Sequence, residues 1–160
     1  MSAQVSIRDS RLSDAAILVQ FNMAMAEETE GRQLDHEAVS AGVRHVLADP
    51  ARGFYLVAES DGNIIGSLMV TTEWSDWRNG FYWWIQSVYV RPAWRRLGVY
   101  RRLYASVKSM AATSGNVCGI RLYVDRDNKT AQNVYNTLGM TETFYLVFEE
   151  TFRENPNHTE

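Results

Sequence analysis

The sequence predicts a single mixed α/β domain in which the elements follow the order βααβββαβαβ, with helices on the faces of one mixed sheet. Along the chain, stretches in which apolar and polar residues alternate are followed by stretches in which apolar residues recur at helical spacing. Capping or turn residues lie near the boundaries between these stretches. With 160 residues and 46% hydrophobic content, the chain can bury one continuous core. We assign residues 1–152 to this domain and residues 153–160 to a polar tail.

A strand and two helices are predicted to open the domain. Val5 to Arg8 alternates between apolar and polar residues, as a strand does. Ser13-Asp14 offers an N-cap for the first helix, which ends in the acidic stretch at residues 27–30. Asp35 caps a second helix, and Asp49-Pro50 stops it because proline cannot continue the helical hydrogen bonding.

Three strands are predicted to follow. Residues 54–58 and 64–72 flank Asp61-Gly62, a dipeptide typical of hairpin turns, and residues 81–90 are rich in aromatic and β-branched side chains. The remaining elements are a helix, a strand, a helix and a strand, at residues 98–114, 120–124, 128–138 and 144–149.

Composition limits the kinds of ligand. A net charge of −3 and a pI near 5.6 argue against a nucleic-acid partner, because phosphate backbones bind clustered lysine and arginine. The lone Cys118 and the lack of a signal-like or membrane-spanning apolar run favour a cytoplasmic protein with no membrane partner. Five arginines nevertheless lie close together and indicate one anionic ligand: Arg91, Arg95, Arg96, Arg101 and Arg102.

The segment from Arg95 to Tyr100 leads directly from a loop into a helix. The unpaired N–H groups and partial positive charge of a helix N-terminus can hold a pyrophosphate, and Gly98 allows the backbone to approach it closely. The flanking arginines add charge-assisted contacts to phosphate oxygens. On spacing alone, arginines on a first helical turn more often form a solvated helix face.

A second motif lies on the last predicted helix. Asn128, Ala131 and Tyr135 are spaced i, i+3 and i+7 and therefore share one helix face, where an amide and a phenol could meet one ligand. The alternative is that Asn128 only caps the helix and Tyr135 belongs to a core stripe.

Together, in this order and spacing, the two motifs resemble those of the GNAT superfamily of acyl-coenzyme A N-acyltransferases, and the resemblance covers nearly the whole chain. The family signature Q/R-x-x-G-x-G/A is matched by Arg95 and Gly98, whereas Tyr100 stands where the family has a small residue. The stretch from Thr72 to Tyr89 looks like an uncharacterised, bacterial-type branch, distantly similar to diamine acetyltransferases.

The resemblance implies a GNAT fold and a cosubstrate. The sheet would be splayed and mostly antiparallel, and its fourth and fifth strands would open into a V that holds the pantetheine arm of acetyl-coenzyme A, with no metal. Backbone groups of Ser87, Val88 and Val90 would pair with this arm, and Asn128 would hold it. The pyrophosphate would bind at the loop and helix start made by Arg95, Arg96, Gly98, Val99, Tyr100 and Arg101.

Acetyl transfer to an amine requires two proton transfers. The family tyrosine, here Tyr135, would protonate the leaving thiolate, since a phenol of pKa about 10 keeps its proton at neutral pH. Diamine acetyltransferases place a glutamate where this chain has Gln86, so the base must lie elsewhere. Glu28, Glu27 and Glu73 are the candidates, either as base or as attractors of an ammonium group. The alternative for the acidic stretch is a solvated inter-helix loop.

Trp74, Trp84 and Gln86 are predicted to line the acceptor pocket, within an unusually aromatic hairpin. An aromatic wall beside carboxylates suits a cationic amine. The same aromatic residues could instead serve cross-strand packing or form a dimer surface. We expect the protein to be a homodimer.

The sequence therefore predicts an N-acetyltransferase that moves acetyl from acetyl-coenzyme A to a small primary amine by direct attack through a tetrahedral intermediate. Two alternatives remain at this point. One is a non-catalytic acyl-coenzyme A sensor with the same fold, and the other is a nucleotide-binding or interaction module that uses the arginine loop for another phosphate.

Overall fold

The computed structural model describes residues 3–153. These residues form two compact units, and the division in the chain falls between Leu122 and Tyr123. The first unit contains a five-stranded sheet and three helices, and the second contains one helix. The mixed α/β class predicted from the sequence is confirmed. No helix within residues 3–153 combines the length and apolar character needed to cross a membrane.

The strands of the first unit are β1 Ser6–Asp9, β2 Phe54–Ser60, β3 Asn63–Ser75, β4 Gly80–Val90 and β5 Val117–Arg121. Its α-helices are α1 Ala15–Glu30, α2 His36–Ala48 and α3 Val99–Ser114, and short 3₁₀ turns precede α1 and α3. The strands lie in sequence order across the sheet, and every neighbouring pair is antiparallel except β4 and β5. The sheet is therefore mixed and mostly antiparallel.

Local chemistry sets the ends of these elements. The Asp35 carboxylate accepts a hydrogen bond of 3.2 Å from the Glu37 amide and so caps α2, as the sequence predicts. Asp61 and Gly62 both adopt positive φ, at 48° and 75°, which closes the hairpin between β2 and β3. The acidic residues 27–30 are not an inter-helix loop but the last turn of α1.

The core fills both faces of the sheet. On one face, Leu18 and Phe21 of α1 and Val43 of α2 pack with Tyr55 and Val57 of β2. On the other face α3 buries its own apolar stripe, which includes Leu103 and Val107. Each fully buried side chain of this size contributes about 1.5–3 kcal/mol relative to an exposed one. The two helical layers thus hold the central strands β3 and β4 in a fixed position.

The second unit contains α4, Lys129–Thr137, and a following segment without regular secondary structure up to residue 153. The strand predicted at 120–124 is observed earlier, as β5 at Val117–Arg121, because the ladder with β4 begins at the pair Phe81 and Val117. No strand forms at residues 144–149, where one was predicted. A strand exists only where a partner supplies a ladder of hydrogen bonds. Of the predicted tail, residues 154–160 lie outside the described residues.

Candidate active site

The sheet opens between β4 and β5. Their parallel ladder runs from the pair Phe81 and Val117 to the pair Trp84 and Arg121 and then stops. β4 continues to Val90, so residues 85–90 have no β5 partner within the first unit. Backbone N–H and C=O groups on this side of β4 are left for a ligand or water. The ladder between the two strands therefore covers only the first part of β4.

A β-bulge lies in β4 just beyond its last pair with β5. Gln86 pairs with Met69 and Tyr89 pairs with Ser67, so the two residues Ser87 and Val88 stand opposite a single residue of β3. Ser87 has φ of +52°, a left-handed conformation that is rare outside glycine. A bulge bends its strand and adds local twist. β4 is therefore bent and more strongly twisted just beyond its last pair with β5.

The open side of β4 is followed by the loop into α3. Arg96 and Gly98 of this loop both adopt the left-handed region, with φ of 63° and 78°. No side chain caps the start of α3 at Gly98, and the first backbone bond of the helix joins the Arg102 amide to the Gly98 carbonyl at 3.1 Å. The N–H groups of residues 99–101 thus have no acceptor within the helix. Left-handed turns and a free helix start are backbone features that anion-binding sites use.

Tyr100, which replaces a small family residue in this motif, is half-buried on the first turn of α3. Its ring stacks on Tyr104, with centroids 6.2 Å apart and planes 28° apart. The large side chain is directed along the helix toward the next turn.

The arginines near this loop separate into two groups. Arg91 donates to the Ile64 carbonyl at 2.8 Å, and Arg102 donates to the Val5 carbonyl at 3.0 Å, so both tie the chain together. Arg95 donates to the Val90 carbonyl at 2.9 Å. Arg96 and Arg101 are exposed and form no side-chain hydrogen bond or ion pair with other residues in the 3–153 range. These two guanidinium groups are available to an anion.

Glu28 lies at the centre of one acidic cluster on the face covered by α1. Its carboxylate accepts a hydrogen bond from Arg95 at 2.6 Å and one from the Tyr89 hydroxyl at 3.2 Å. Burial and the negative charge of Glu28 raise the pKa of Tyr89, which therefore stays protonated at neutral pH. Glu27, its neighbour, is exposed on the same turn.

Glu73 lies at the centre of a second cluster, at the last β4–β5 pair. One oxygen accepts the Trp84 indole N–H at 2.6 Å, and the other accepts Arg121 at 3.2 Å. The Arg121 guanidinium lies 3.5 Å from the centre of the Tyr82 ring, a cation–π contact. Three strands, β3, β4 and β5, meet in this cluster.

The register between β3 and β4 shows which side chains of the hairpin share a face of the sheet with Glu73. Glu73 is opposite Tyr82, Thr71 is opposite Trp84, and Met69 is opposite Gln86. Directly opposite residues share a face, so Trp84 and Gln86 lie on the same side of the sheet as Glu73. The Gln86 amide is held at 2.6 Å by the Thr71 hydroxyl.

Trp74 lies farther out along the hairpin, where it is 54% exposed and packs edge-on against Phe81.

In the second unit, Asn128 and Tyr135 both lie on α4 as the sequence predicts. The Asn128 side chain accepts the Ala131 N–H at 3.1 Å, which is the capping role. Burial raises the pKa of Tyr135 above its usual value near 10, so its phenol stays protonated at neutral pH.

Tyr89 and Arg121 were missed by the sequence analysis. Arg121 could have been noticed in the sequence as the one charged residue of an otherwise uncharged strand.

Within residues 3–153, no group of three or more histidine, cysteine, aspartate or glutamate side chains could hold a metal ion.

The sequence matches the acetyltransferase (GNAT) family model over residues 18–140. The chain belongs to the GNAT acetyltransferase family.

Solved GNAT-like structures agree with this assignment. A possible acetyltransferase from Clostridium difficile 630 is 37% identical to this chain, and the two structures give a TM-score of 0.88. The comparison covers 94% of this chain and 99% of that chain. No curated protein sequence is significantly similar to this chain.

Two more distant structures share the fold. An aminoglycoside N-acetyltransferase solved with CoA is 17% identical, with a TM-score of 0.75 and coverage of 96% of this chain and 98% of that chain. A predicted acetyltransferase from Clostridium acetobutylicum, solved with acetyl-CoA, is 18% identical, with a TM-score of 0.76 and coverage of 92% and 96%. Members of this family use acetyl-CoA.

The positive φ of Ser87 leads to a prediction about the stability of the β4 bulge. Ser87→Gly should be neutral or stabilising, because glycine adopts this conformation without strain. Ser87→Val should lower the free energy of unfolding by about 1–3 kcal/mol, since a β-branched side chain is strained there. Urea unfolding of both variants measures the difference. Equal stabilities for Gly, Ser and Val would contradict a left-handed residue at the bulge.

Proposed function

We propose that the protein is an N-acetyltransferase that moves acetyl from acetyl-CoA to a primary amine of a small molecule. The observation that carries the proposal is the open side of β4 at residues 85–90, which continues into the uncapped start of α3. An extended amide-bearing arm fits the first feature and a pyrophosphate fits the second. Pantetheine and the diphosphate of CoA occur in that order in one ligand.

The cosubstrate binds along this path in the proposed complex. The pantetheine arm pairs with backbone groups of Ser87, Val88 and Val90, and Asn128 holds it from α4. The pyrophosphate receives N–H groups from Val99, Tyr100 and Arg101. Arg96 and Arg101 supply positive charge to the pyrophosphate. Both guanidinium groups can do so because neither has a side-chain partner among residues 3–153.

Arg95 connects the cosubstrate and acceptor parts of the site. Its ion pair with Glu28 joins side chains that are 44% and 40% exposed, so it is worth at most about 1 kcal/mol. A diphosphate carries more charge than one carboxylate and can draw Arg95 away. Glu28 then loses its cation and becomes able to receive an ammonium group. Binding of CoA before the amine follows from this exchange.

The acceptor lies on the face of the sheet that carries both acidic clusters. Glu28 and Glu73 attract the ammonium group and take up its proton, directly or through water, and Glu27 adds negative charge. Trp84 and Gln86 form the wall and the polar contact of this pocket. Trp74, which pairs with Phe81, was predicted to line it as well, but the strand alternation places Trp74 on the opposite face of the sheet. A cationic amine is favoured by carboxylates and by aromatic faces together.

The chemical step is direct attack of the neutral amine on the thioester carbon. A C–N bond forms, and the tetrahedral oxyanion is stabilised by a backbone N–H at the bulge of β4. The C–S bond then breaks, and Tyr135 gives its proton to the thiolate sulfur. The proton that the attacking nitrogen loses as it becomes an amide passes through water to the Tyr135 oxygen and restores the phenol. Burial raises the pKa of Tyr135, so the phenol still carries its proton when the thiolate leaves.

One observation favours a second candidate, an acyl-CoA sensor without transfer activity. Both acids proposed as bases are held by arginines, Glu28 by Arg95 and Glu73 by Arg121. A carboxylate stabilised by an ion pair is a weaker base.

Thiol release separates the two functions. Acetyl-CoA is incubated with a panel of polyamines, aminoglycosides, amino acids and peptide N-termini, and free CoA is measured with and without amine. Amine-dependent release supports a transferase. Saturable CoA binding with no release above the amine-free rate for any acceptor supports the sensor.

Arg101→Ala is expected to weaken CoA binding roughly 10-fold, because one charge-assisted contact to phosphate contributes about 1.5 kcal/mol. The Tm without ligand should stay unchanged, since the side chain is exposed and unpaired among the described residues. Arg44→Ala, an exposed arginine on α2, is the matched control. Isothermal titration with CoA gives both affinities. Identical affinities for the two variants would remove Arg101 from the phosphate site.

Glu28→Gln and Glu73→Gln should each lower kcat/KM for the best amine by 10-fold or more, with CoA affinity retained. Each change keeps the shape of the side chain and removes its charge. Glu37→Gln, on the exposed surface of α2, serves as the control. Normal transfer by both site variants would make these two acids surface charges only.

Tyr135→Phe should lower kcat by roughly 10²–10⁴-fold with little change in folding or CoA affinity. The loss should shrink with an acyl donor whose thiol has a lower pKa, because a better leaving group needs less help. Tyr104→Phe is the control, since burial raises the pKa of that tyrosine as well. If the Tyr135 variant keeps the parent rate where chemistry limits kcat, the residue serves packing alone.

A further inference from the structure

Two guanidinium groups lie beside the Tyr82 ring in the cluster around Glu73, and the proposed reaction uses neither of them. The guanidinium carbon of Arg121 is 3.5 Å from the centre of this ring, and that of Arg78 is 5.4 Å from it. Arg78 is exposed in the turn between β3 and β4 and forms no ion pair with an acid in residues 3–153. Asp76, the acid of the same turn, accepts the backbone amide of the next residue at 2.8 Å. Two like charges beside one ring repel each other, and an anion bound beside them offsets this repulsion.

The Tyr82 ring is held in place by its neighbour on β5. Gly119 is opposite Tyr82 in the parallel ladder, and a Cβ atom at position 119 would lie 2.5 Å from Cε1 of the ring. Because glycine has no Cβ, the ring can lie directly against the β5 backbone. Arg121 follows two residues later and so lies on the same face of the sheet. Tyr82 is therefore a fixed base for the Arg121 guanidinium.

Glu73 leaves most of the Arg121 guanidinium available. The two oxygens of Glu73 are both used, one by the Trp84 indole N–H at 2.6 Å and one by Arg121 at 3.2 Å. A guanidinium carries five N–H donors, and the contact with Glu73 is the one hydrogen bond that the Arg121 side chain donates among the described residues. This side chain is 26% exposed. The cluster can therefore bind a further acceptor group, whereas an ammonium group would be repelled by both arginines.

The two acidic clusters lie on opposite sides of the bulge in β4. Arg121 is opposite Trp84, three residues before Ser87. At about 3.3 Å per residue, the Arg121 backbone is roughly 10 Å from the bulge along the strand. Glu28 lies on the other side, because its carboxylate accepts the hydroxyl of Tyr89, two residues beyond Ser87. An acceptor whose amine reaches a thioester at the bulge therefore has Glu28 beside the amine and the Arg121 cluster roughly 10 Å away.

We propose that the acceptor amine carries a carboxylate at its far end, roughly 10 Å from the nitrogen, and that Arg121 and Arg78 bind this carboxylate. This assignment rests on the proposed acetyl transfer and narrows its acceptor to an elongated amino carboxylate. The ammonium contact then falls to Glu28, and Glu73 holds Arg121 in position. A guanidinium fork matches the two oxygens of a carboxylate, and Trp84 lies between the two ends of the ligand.

Three amines of equal chain length test the anion site by binding alone. They are octylamine, diaminooctane and aminooctanoate, the last two with their groups at opposite ends of the chain. Isothermal titration of the CoA-saturated protein should give roughly 10-fold tighter binding of aminooctanoate than of octylamine, because a carboxylate gains charge-assisted hydrogen bonds. Diaminooctane should bind no more tightly than octylamine. Equal affinities, tightest binding of the diamine or no binding of aminooctanoate would overturn the proposal.

Two variants connect this preference to the arginines. Arg121→Gln should abolish the preference for aminooctanoate and shift it toward diaminooctane, because the charge of Glu73 is then uncovered. Since Arg121 joins two strands, Arg78→Gln provides a second variant in an exposed turn, and it should reduce the preference several-fold at an unchanged Tm. Arg44→Gln, on the exposed surface of α2, is the matched control. Parental preference in both the Arg121 and the Arg78 variant would remove the two arginines from the acceptor site.

Thiol release with the same three amines distinguishes failure of the anion site from failure of acetyl transfer. Release that favours aminooctanoate through a lower KM supports both, since the carboxylate lies far from the reacting atoms. Tighter binding of aminooctanoate without any release supports the anion site in a protein that does not transfer acetyl. Release at equal kcat/KM for all three amines supports transfer and overturns the anion site.

Discussion

The bulge at Ser87 and Val88 is the constraint on which the rest of the site depends. It inserts one residue into β4 opposite β3, at a left-handed φ of +52°. A bulge bends its strand, and here the bend lies just beyond the last pair between β4 and β5. On that side the backbone groups of residues 85–90 have no strand partner within the first unit. The same bend leads β4 out into the loop that begins α3.

Local signals were sufficient to predict much of the fold. Asp35, Asp61-Gly62 and Gly98 act through their own backbone or through amides a few residues away, so their effects can be read from short stretches of sequence. β5 was misplaced because its position depends on its pairing with β4, which a local pattern does not contain. The unformed strand at 144–149 has the same cause, since its strand-like composition does not supply a partner.

The candidate site was less predictable because its contacts join distant parts of the chain. Glu28 was selected as an acid, but its partner Arg95 lies 67 positions away and was assigned to the phosphate loop. Arg121 and Glu73 are separated by 48 positions. Neither pair leaves a spacing pattern in the sequence. The residue types were therefore predictable, whereas the pairing that determines whether each acid can act as a base was not.

The two ion pairs also make the site respond to ionic strength in a way that the core does not. Glu28–Arg95 and Glu73–Arg121 are both partly exposed, and each connects separate elements beside the opening of the sheet. Electrostatic screening acts over about 8 Å at physiological ionic strength and about 3 Å at 1 M salt, so concentrated salt weakens both pairs. The layers around Leu18 and Leu103 are held instead by buried apolar side chains, whose packing does not depend on screened charges. Salt can therefore loosen the elements that border the gap while the two-layer core stays intact.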